Sequence, residues 1–438
     1  MSPFRRHFTV TTVTVLAAFA LAAPAAHAGT IDVPCDPDAL IEAVHTANAS
    51  YFEPDTLSLA ANCVYTLTEP VPGRWAAGLP AIEDTLTIDG NNATIRRLPD
   101  APRFRIITNR RDLTLNNITI TGGHVPDATG TDSSGGGNFG EDGGGIDTWG
   151  PLTVNNSTIT GNAAGAGAPG ADATATTSAG WGGQGGWGGG IFAYAVRTVT
   201  INNSSITNNA TGIGGRGGNG AGTKPGARSG SSGAGGGVAI LRDATLRITG
   251  SDISGNVTAD GPQGSNGGVD KGAAGDGGSG GAGAGVYVSA TEGRPMNSTI
   301  TASTIAGNRA GRGGDRGVPG PGAPYLARGG IGGIGGGILV LTETLTVDGG
   351  RITDNTAGEF GPGYAGPALG GGVYNIDGQV TLTNAAELAG NHPDDCYPVT
   401  GCTGPQAASR TQHDSGTNAR TGQLHDIVEK QSTKRTGG

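Results

Sequence analysis

Aromatic residues are scarce: Phe, Tyr and Trp together make 5% of the 438 residues, and charged residues only 14%. The 27 Lys and Arg are outnumbered by 36 Asp and Glu, for a net charge of −9. A chain so poor in basic residues lacks the footprint that phosphate backbones demand, so no nucleic-acid partner is expected. Cysteine is limited to four positions without C-x₂-C spacing, and His is not clustered beside them. No metal and no cofactor are therefore expected. Outside a short leader there is no apolar run of membrane length, so no transmembrane span is expected in the mature chain. Glycine is abundant (86 residues) but keeps no strict G-X-Y period along the chain, which excludes collagen.

What is present is repetition. Gly188–Asn209 (GGGIFAYAVRTVTINNSSITNN) has near-copies at Gly143–Asn162, Gly235–Asn256, Gly283–Asn308, Gly335–Asn355 and Gly370–Asn391, and a more divergent one at Phe104–Gly123. Each copy holds three short runs rich in Val, Ile and Thr, with an apolar period of two, which excludes a helical reading. In one copy the runs are Ile191–Ala193, Val199–Ile201 and Ser205–Thr207. No run makes a sheet alone. Stacked copies let each run pair with its equivalent one copy later, across a return long enough for parallel pairing. Such returns are right-handed in nearly all cases. The expected fold is all-β: a single-stranded right-handed parallel β-helix, a solenoid with one copy per coil. Leu152, Val154 and Ile159 recur as Val199, Ile201 and Ile206, as Leu246, Ile248 and Ile253, and as Leu345, Val347 and Ile352. These are the expected inward positions.

Asparagine closes each copy three residues after the last inward aliphatic, at Asn162, Asn209, Asn256, Asn308, Asn355 and Asn391. Stacking turns these into an expected structural ladder that satisfies turn backbone. Asn219, inside a spacer, is expected to carry almost no stability.

Four segments follow in order. Residues 1–28 read as a signal peptide: Arg5-Arg6, the apolar Val13–Ala23, and Ala26-His27-Ala28 before the cleavage point. Arg5–Phe8 also resembles the start of a twin-arginine signal, which leaves the export route open. Loss of Arg5 and Arg6 with the leader takes the net charge from −9 to −11. Residues 29–103 hold a helix over residues 36–49 and the first irregular coils. Asp36 or Asp38 suits the helix N-terminus and Pro37 its first turn; Leu40, Ile41 and Val44 form its apolar face. A solenoid needs a lid over its first coil, and this helix is the candidate. His45 in it is expected to pack or face solvent, not to catalyse. Residues 104–395 are the repeat coils with glycine-rich insertions between them, chiefly Gly165–Trp187, Gly212–Ala234, Ala259–Ala282 and Gly311–Ile334. Their composition has no apolar core to bury. They are either mobile loops or extended chains packed against each other, with coils complete without them. Residues 396–438 are a disulfide loop followed by a polar tail expected to be disordered.

In an exported chain, proximity pairs Cys35 with Cys63 and Cys396 with Cys402. The chain-entropy estimate is about 3.6 kcal/mol for the first loop and about 2.4 kcal/mol for the second, both as upper values.

The GGGI or GGGV starts and the I-x-x-N closes resemble the GG-A-I and F-x-x-N motifs of the polymorphic outer membrane protein repeat family. Gly144–Ile146 with Ile159–Asn162, and Gly189–Ile191 with Ile206–Asn209, match with Ile in the Phe place. Cys35, Leu40, Ile41, Glu42, Ala43 and Ala47-Asn48 resemble the C-S-L-R-E-A-I…A-N opening of secreted β-helix proteins, without its Ser and Arg. The resemblance spans residues 35–395 and implies an exported, often adhesive surface protein. The family's autotransporter barrel is not expected from the 36 residues after Cys402.

Two functions are weighed. One is a non-catalytic secreted or wall-associated protein that meets a polysaccharide or protein partner. The other is a polysaccharide lyase or hydrolase, which would need converging carboxylates. The densest acidic stretch, His124–Asp147 (with Asp127, Asp132, Glu141 and Asp142), contains no Arg or Lys and reads as a solvated loop. Trp149, Trp181 and Trp187 lie near loops or coil starts, where they would pack against a spacer or stack on sugar rings.

Overall fold

The computed structural model describes residues 29–403, apart from 51–53, 74–75, 196–197, 243, 292–295, 324–326, 365–366 and 399–401. The leader and the polar tail lie outside the described residues.

Every pairing between its strands is parallel, in two sheets of 16 and 8 strands, an arrangement consistent with a parallel β-helix. Equivalent runs pair in register one copy apart. Val199 and Ile201 sit beside Leu152 and Val154 on one side and Leu246 and Ile248 on the other; Ile206 sits between Ile159 and Ile253. These inward aliphatics belong to one continuous buried cluster running from Val33 to Cys402. The 8-stranded sheet adds Ile146, Ile191, Val238, Val286, Ile338 and Val373 to it, one from each successive rung.

Left-handed residues bend each coil, among them those on either side of its third run. In one copy they are Asn203 (φ 47°) and Asn208 (φ 55°); one copy later Gly250 and Gly255 take their places. Asn and Gly are the residue types that tolerate this conformation. After the first bend comes a buried serine, after the second a buried asparagine. Asn209 Nδ2 donates to Asn256 Oδ1 (3.0 Å) and to the Ile159 carbonyl (3.0 Å). Its Oδ1 accepts from the backbone and side-chain amides of Asn162. The same bonds recur through Asn308, Asn355 and Asn391, and Asp395 ends the row. Ser157, Ser204, Ser251 and Ser303 make a second ladder, each Oγ accepting from the backbone N–H of the preceding serine or of Ile118. The sequence reading missed these serines, although each stands five residues before a closing asparagine.

The helix spans Pro37–Asn48. Asp36 is its N-cap, its carboxylate accepting from the Asp38 N–H (2.9 Å), and Leu40, Ala43, Val44 and Ala47 are buried. The Asp36 conformation is extended, as an N-cap requires. The disulfides are Cys35–Cys63 and Cys396–Cys402.

The glycine-rich insertions are ordered. Each runs out and back as a hairpin whose backbone bonds recur every third residue: Gly186 to Gly165, Gly183 to Ala168 and Gly180 to Ala171, N–H to carbonyl. The outgoing run of the next hairpin bonds to this return: Gly212 to Gly186, Gly215 to Gly183 and Gly218 to Gly180. A second set links like runs of successive hairpins, such as Gly167 to Ile213 and Gly170 to Arg216, or Gly182 to Arg228 and Gly185 to Ser231. Three residues per turn with no bonds inside a run is the signature of a polyproline-II helix. The insertions are therefore two leaves of such helices, interleaved along the coil stack. A β-carbon added at Gly183 would overlap the Asn138 carbonyl oxygen, and one at Gly230 the Gly183 carbonyl oxygen. These glycines allow the chains to approach. This bonding is that of the second alternative, extended chains packed against each other. A composition that cannot bury an apolar core buries hydrogen-bonded backbone instead. Asn219 is correspondingly not idle: its N–H donates to Asp172 (2.6 Å), and its Oδ1 accepts from the Asn266 N–H (3.1 Å).

Candidate functional site

The return leaf meets the outward face of the 8-stranded sheet at an inside corner. Outward side chains alternate along the sheet's strands, giving Asp147 and Trp149, then Phe192 and Tyr194 on the next rung. Outward side chains of the return leaf come every third residue: Phe139 and Asp142, then Trp181, Gln184 and Trp187. The corner's floor is apolar further along the stack. Trp187 packs edge-on against Tyr287 (ring centroids 5.0 Å) in a second buried cluster with Phe192, Ala234, Ile334, Leu339 and Tyr374.

At the first rungs the floor becomes ionic. Arg105, its side chain 3% exposed, donates to Glu141 (2.8 Å), to the Asp142 carbonyl (3.0 Å), and lies 3.5 Å from Asp147. Asp142 Oδ1 accepts from the Trp187 N–H (2.7 Å). Burial pushes the Asp147 carboxyl up to about 6; Arg105 opposes the shift, and Asp142 adds to it. Next to this sit rings. Trp149 and Tyr194 are 4.9 Å apart; the Arg110 guanidinium lies 4.8 Å over Trp149 and that of Arg242 5.6 Å over Tyr194. Guanidinium, indole, phenol and guanidinium thus form one column across successive rungs. Trp149 is 46% exposed, Trp181 64% and Phe139 36%. The exposed large aromatics of the described residues all fall in these two coils, in a chain with few aromatics to place.

The acidic stretch is solvated at Asp127, Asp132 and Glu141, half-buried at Asp142 and buried at Asp147, and its acids are not free. Asp127 is ion-paired with Arg103, and Glu141 and Asp147 with Arg105, residues that the strand-bearing segment before it supplies. Its backbone forms the first hairpin of the glycine-rich leaves, with Ala171 to Gly135 and Ala168 to Asn138 bonds. Burial lowers the pKa of His124, with Arg103 reinforcing the shift. Among the described residues, no group of three His, Cys, Asp or Glu is arranged to hold a metal ion. His45 is exposed on the helix. Of Trp149, Trp181 and Trp187, the last packs inside and the other two face solvent. The six asparagines lie inside the coil wall, each no more than 6% exposed, away from any surface partner. Missed entirely was the Arg–Trp–Tyr–Arg column; its signal is that Arg110, Trp149 and Tyr194 stand at equivalent places in consecutive copies.

No protein-family model, no curated protein and no solved structure matches this chain.

Proposed function

We propose that this is an exported, non-catalytic right-handed parallel β-helix of the polymorphic outer membrane protein repeat type, capped by the Pro37–Asn48 helix, which binds a surface partner across the aromatic corner. The observation that carries the reading is the exposure of Phe139, Trp149 and Trp181 along the leaf and sheet walls of the corner, with the Arg110 guanidinium over Trp149. Aromatic rings left in water at one place are the usual mark of an interaction surface. Export is supported by two disulfides and the leader-like start. No helix among the described residues is long and apolar enough to cross a membrane.

The alternative, a polysaccharide lyase or hydrolase, draws on the raised pKa of Asp147, since perturbed carboxyls gather at catalytic sites. Against it, that carboxyl is 8% exposed and held by Arg105, and Glu141 is tied to the same arginine. A hydrolase needs two carboxyls that both reach the substrate. The test is co-sedimentation with isolated cell envelopes or insoluble polysaccharides, beside an assay for released reducing ends. The reading expects binding that falls at least tenfold in a Trp149→Ala/Trp181→Ala variant, is kept in Ile213→Ala, and shows no product. Turnover that Asp147→Asn abolishes would move the protein to the enzyme class.

A further inference from the structure

The corner has a chemistry as well as a shape, and it points to one class of ligand. Resting on the reading of the corner as the partner surface, we propose that its ligand is a uronate-bearing glycan, laid along the corner with sugar rings against Trp149 and Trp181 and carboxylates on the guanidiniums.

Three observations lead there. First, the exposed rings are spread over both walls, Trp149 on the sheet wall and Trp181 on the leaf wall, so they offer several apolar patches to an extended ligand. Such patches match the C–H faces of successive pyranose rings better than the single deep pocket a small molecule requires. Second, cations accompany the rings. Arg228 stands one rung beyond Trp181 on the leaf, where its carbonyl accepts from Gly182. Arg110 and Arg242 flank the two-ring stack on the sheet wall. Arg242 is half-buried and Arg110 has its Nη2 buried, so Arg242 is the column's guanidinium open to a ligand, and a guanidinium fork matches the two oxygens of a carboxylate. Third, the acids of the corner are already spoken for. Glu141 and Asp147 face Arg105, and Asp142 accepts from Trp187. Asp276, at Arg228's place one rung further along the leaf, accepts from the Arg328 N–H (2.8 Å), and among the described residues Arg228 and Arg242 take part in no ion pair.

A protein ligand would want a broad dry centre, and a neutral glycan would have no use for the guanidiniums. The rungs also set the reach. From Arg110 to Arg242 the column climbs three rungs, about 14 Å at roughly 4.8 Å per rung, enough for more than one sugar.

The test is affinity electrophoresis or calorimetry of the mature chain with polygalacturonate, its fully methyl-esterified form, and dextran, in buffer containing a chelator so that no divalent ion bridges the two. The expected result is saturable binding of polygalacturonate only, weakened at least tenfold by Arg228→Gln/Arg242→Gln and by Trp149→Ala, with unfolding temperatures unchanged. Arg242→Lys should recover part of the affinity, since it keeps the charge without the fork. Binding should also weaken with added salt, as exposed charge pairs do. Equal binding of the acid and its methyl ester would overturn the role of charge and with it the uronate assignment. If no glycan binds, yet Trp149→Ala/Trp181→Ala still abolishes envelope binding, the ligand class is wrong and the corner reading stands. If neither glycan nor envelope binding responds to those tryptophans, both fall.

Discussion

The coil stack and the glycine-rich leaves are built on the same axis and advance by the same rungs, but they are held by different atoms. In the coils each rung contributes inward aliphatics, such as Val199, Ile201 and Ile206, to a continuous core, and its bends are sealed by Asn and Ser ladders. In the leaves the interior side chains are mostly small, such as Ala168, Ala227, Ser229 and Ser265, with Trp187, Ala234 and Ile334 where the return leaf meets the sheet. Gly183, Gly186, Gly212 and Gly215 contribute backbone alone, N–H to carbonyl, and contact is close because there is no β-carbon. The coils are a hydrophobic structure with polar seams; the leaves are chiefly a hydrogen-bonded structure, with apolar burial concentrated where they meet the sheet. Mutation should therefore act on them in opposite ways. Removing atoms should hurt the coils, and adding atoms should hurt the leaves.

The largest break is expected from excising a whole hairpin. Replacing Gly165–Trp187 with a four-residue turn strips partners from the hairpins before and after it, among them the Gly165 to Glu141 and Gly212 to Gly186 bonds, and removes Trp187 from the second apolar cluster. The saving in loop-closure entropy, about 1.5 kcal/mol, is smaller than this loss. Thermal unfolding should drop by on the order of 10 °C or more. Retention of the parent midpoint would mean that the coils do stand complete without the leaf.

A single added methyl is the next sharpest tool. Gly183→Ala should cost about 1–3 kcal/mol as the leaf opens around the Asn138 carbonyl. Gly73→Ala, where nothing lies within 4 Å, should be close to neutral. Chemical denaturation compares the two directly.

Of similar size in the other direction, Asn209→Ala removes atoms from the coil wall and should cost about 1–3 kcal/mol, since buried N–H and C=O groups lose their partners. Asn219→Ala, in the half-exposed ladder of the leaf, should cost about 0.5–1.5 kcal/mol.

The seam between the two regions is tested by pH. The Asp147 carboxyl sits there with its folded pKa raised from 3.8 to about 6. Between those values the folded state holds a proton that the unfolded state has released. Asp147 therefore favours folding most below pH about 4, and that advantage is lost as pH rises to 6. Asp147→Asn should flatten this window of the stability curve. A wild-type curve that instead rises steadily from pH 4 to 6 at the same rate as the variant's would place the carboxyl outside the seam.

The coils were legible because their information lies in side chains. The period-two Val and Ile runs, the closing asparagines and the helix with its Asp36-Pro37 start each name a residue type for a physical reason. The leaves were not legible in that way, because glycine carries no outward sign of what its backbone meets. A partial sign exists: Gly214-Gly215-Arg216-Gly217-Gly218-Asn219 repeats every three residues, as does Gly182-Gly183-Gln184-Gly185-Gly186-Trp187. It is a short local period, interrupted by the turns at each hairpin tip, so a search for a strict G-X-Y period along the chain passes over it. The corner was half legible. Trp149 and Trp181 stood out as tryptophans near loops. Their meeting with Arg110, Arg228 and Arg242 depends on how rungs 39 to 52 residues apart fall beside one another, as the ladder bonds record.

Amide hydrogen exchange of the glycine-rich segments tests the central claim most directly. If the leaves are folded backbone, the amides of Gly182, Gly183, Gly185 and Gly186 should exchange slowly, with protection approaching that of Val199 and Ile201 in the neighbouring coil. Exchange of those glycine amides at unfolded-chain rates, while the coil amides stay protected, would contradict it and return the insertions to mobile loops on a self-sufficient helix.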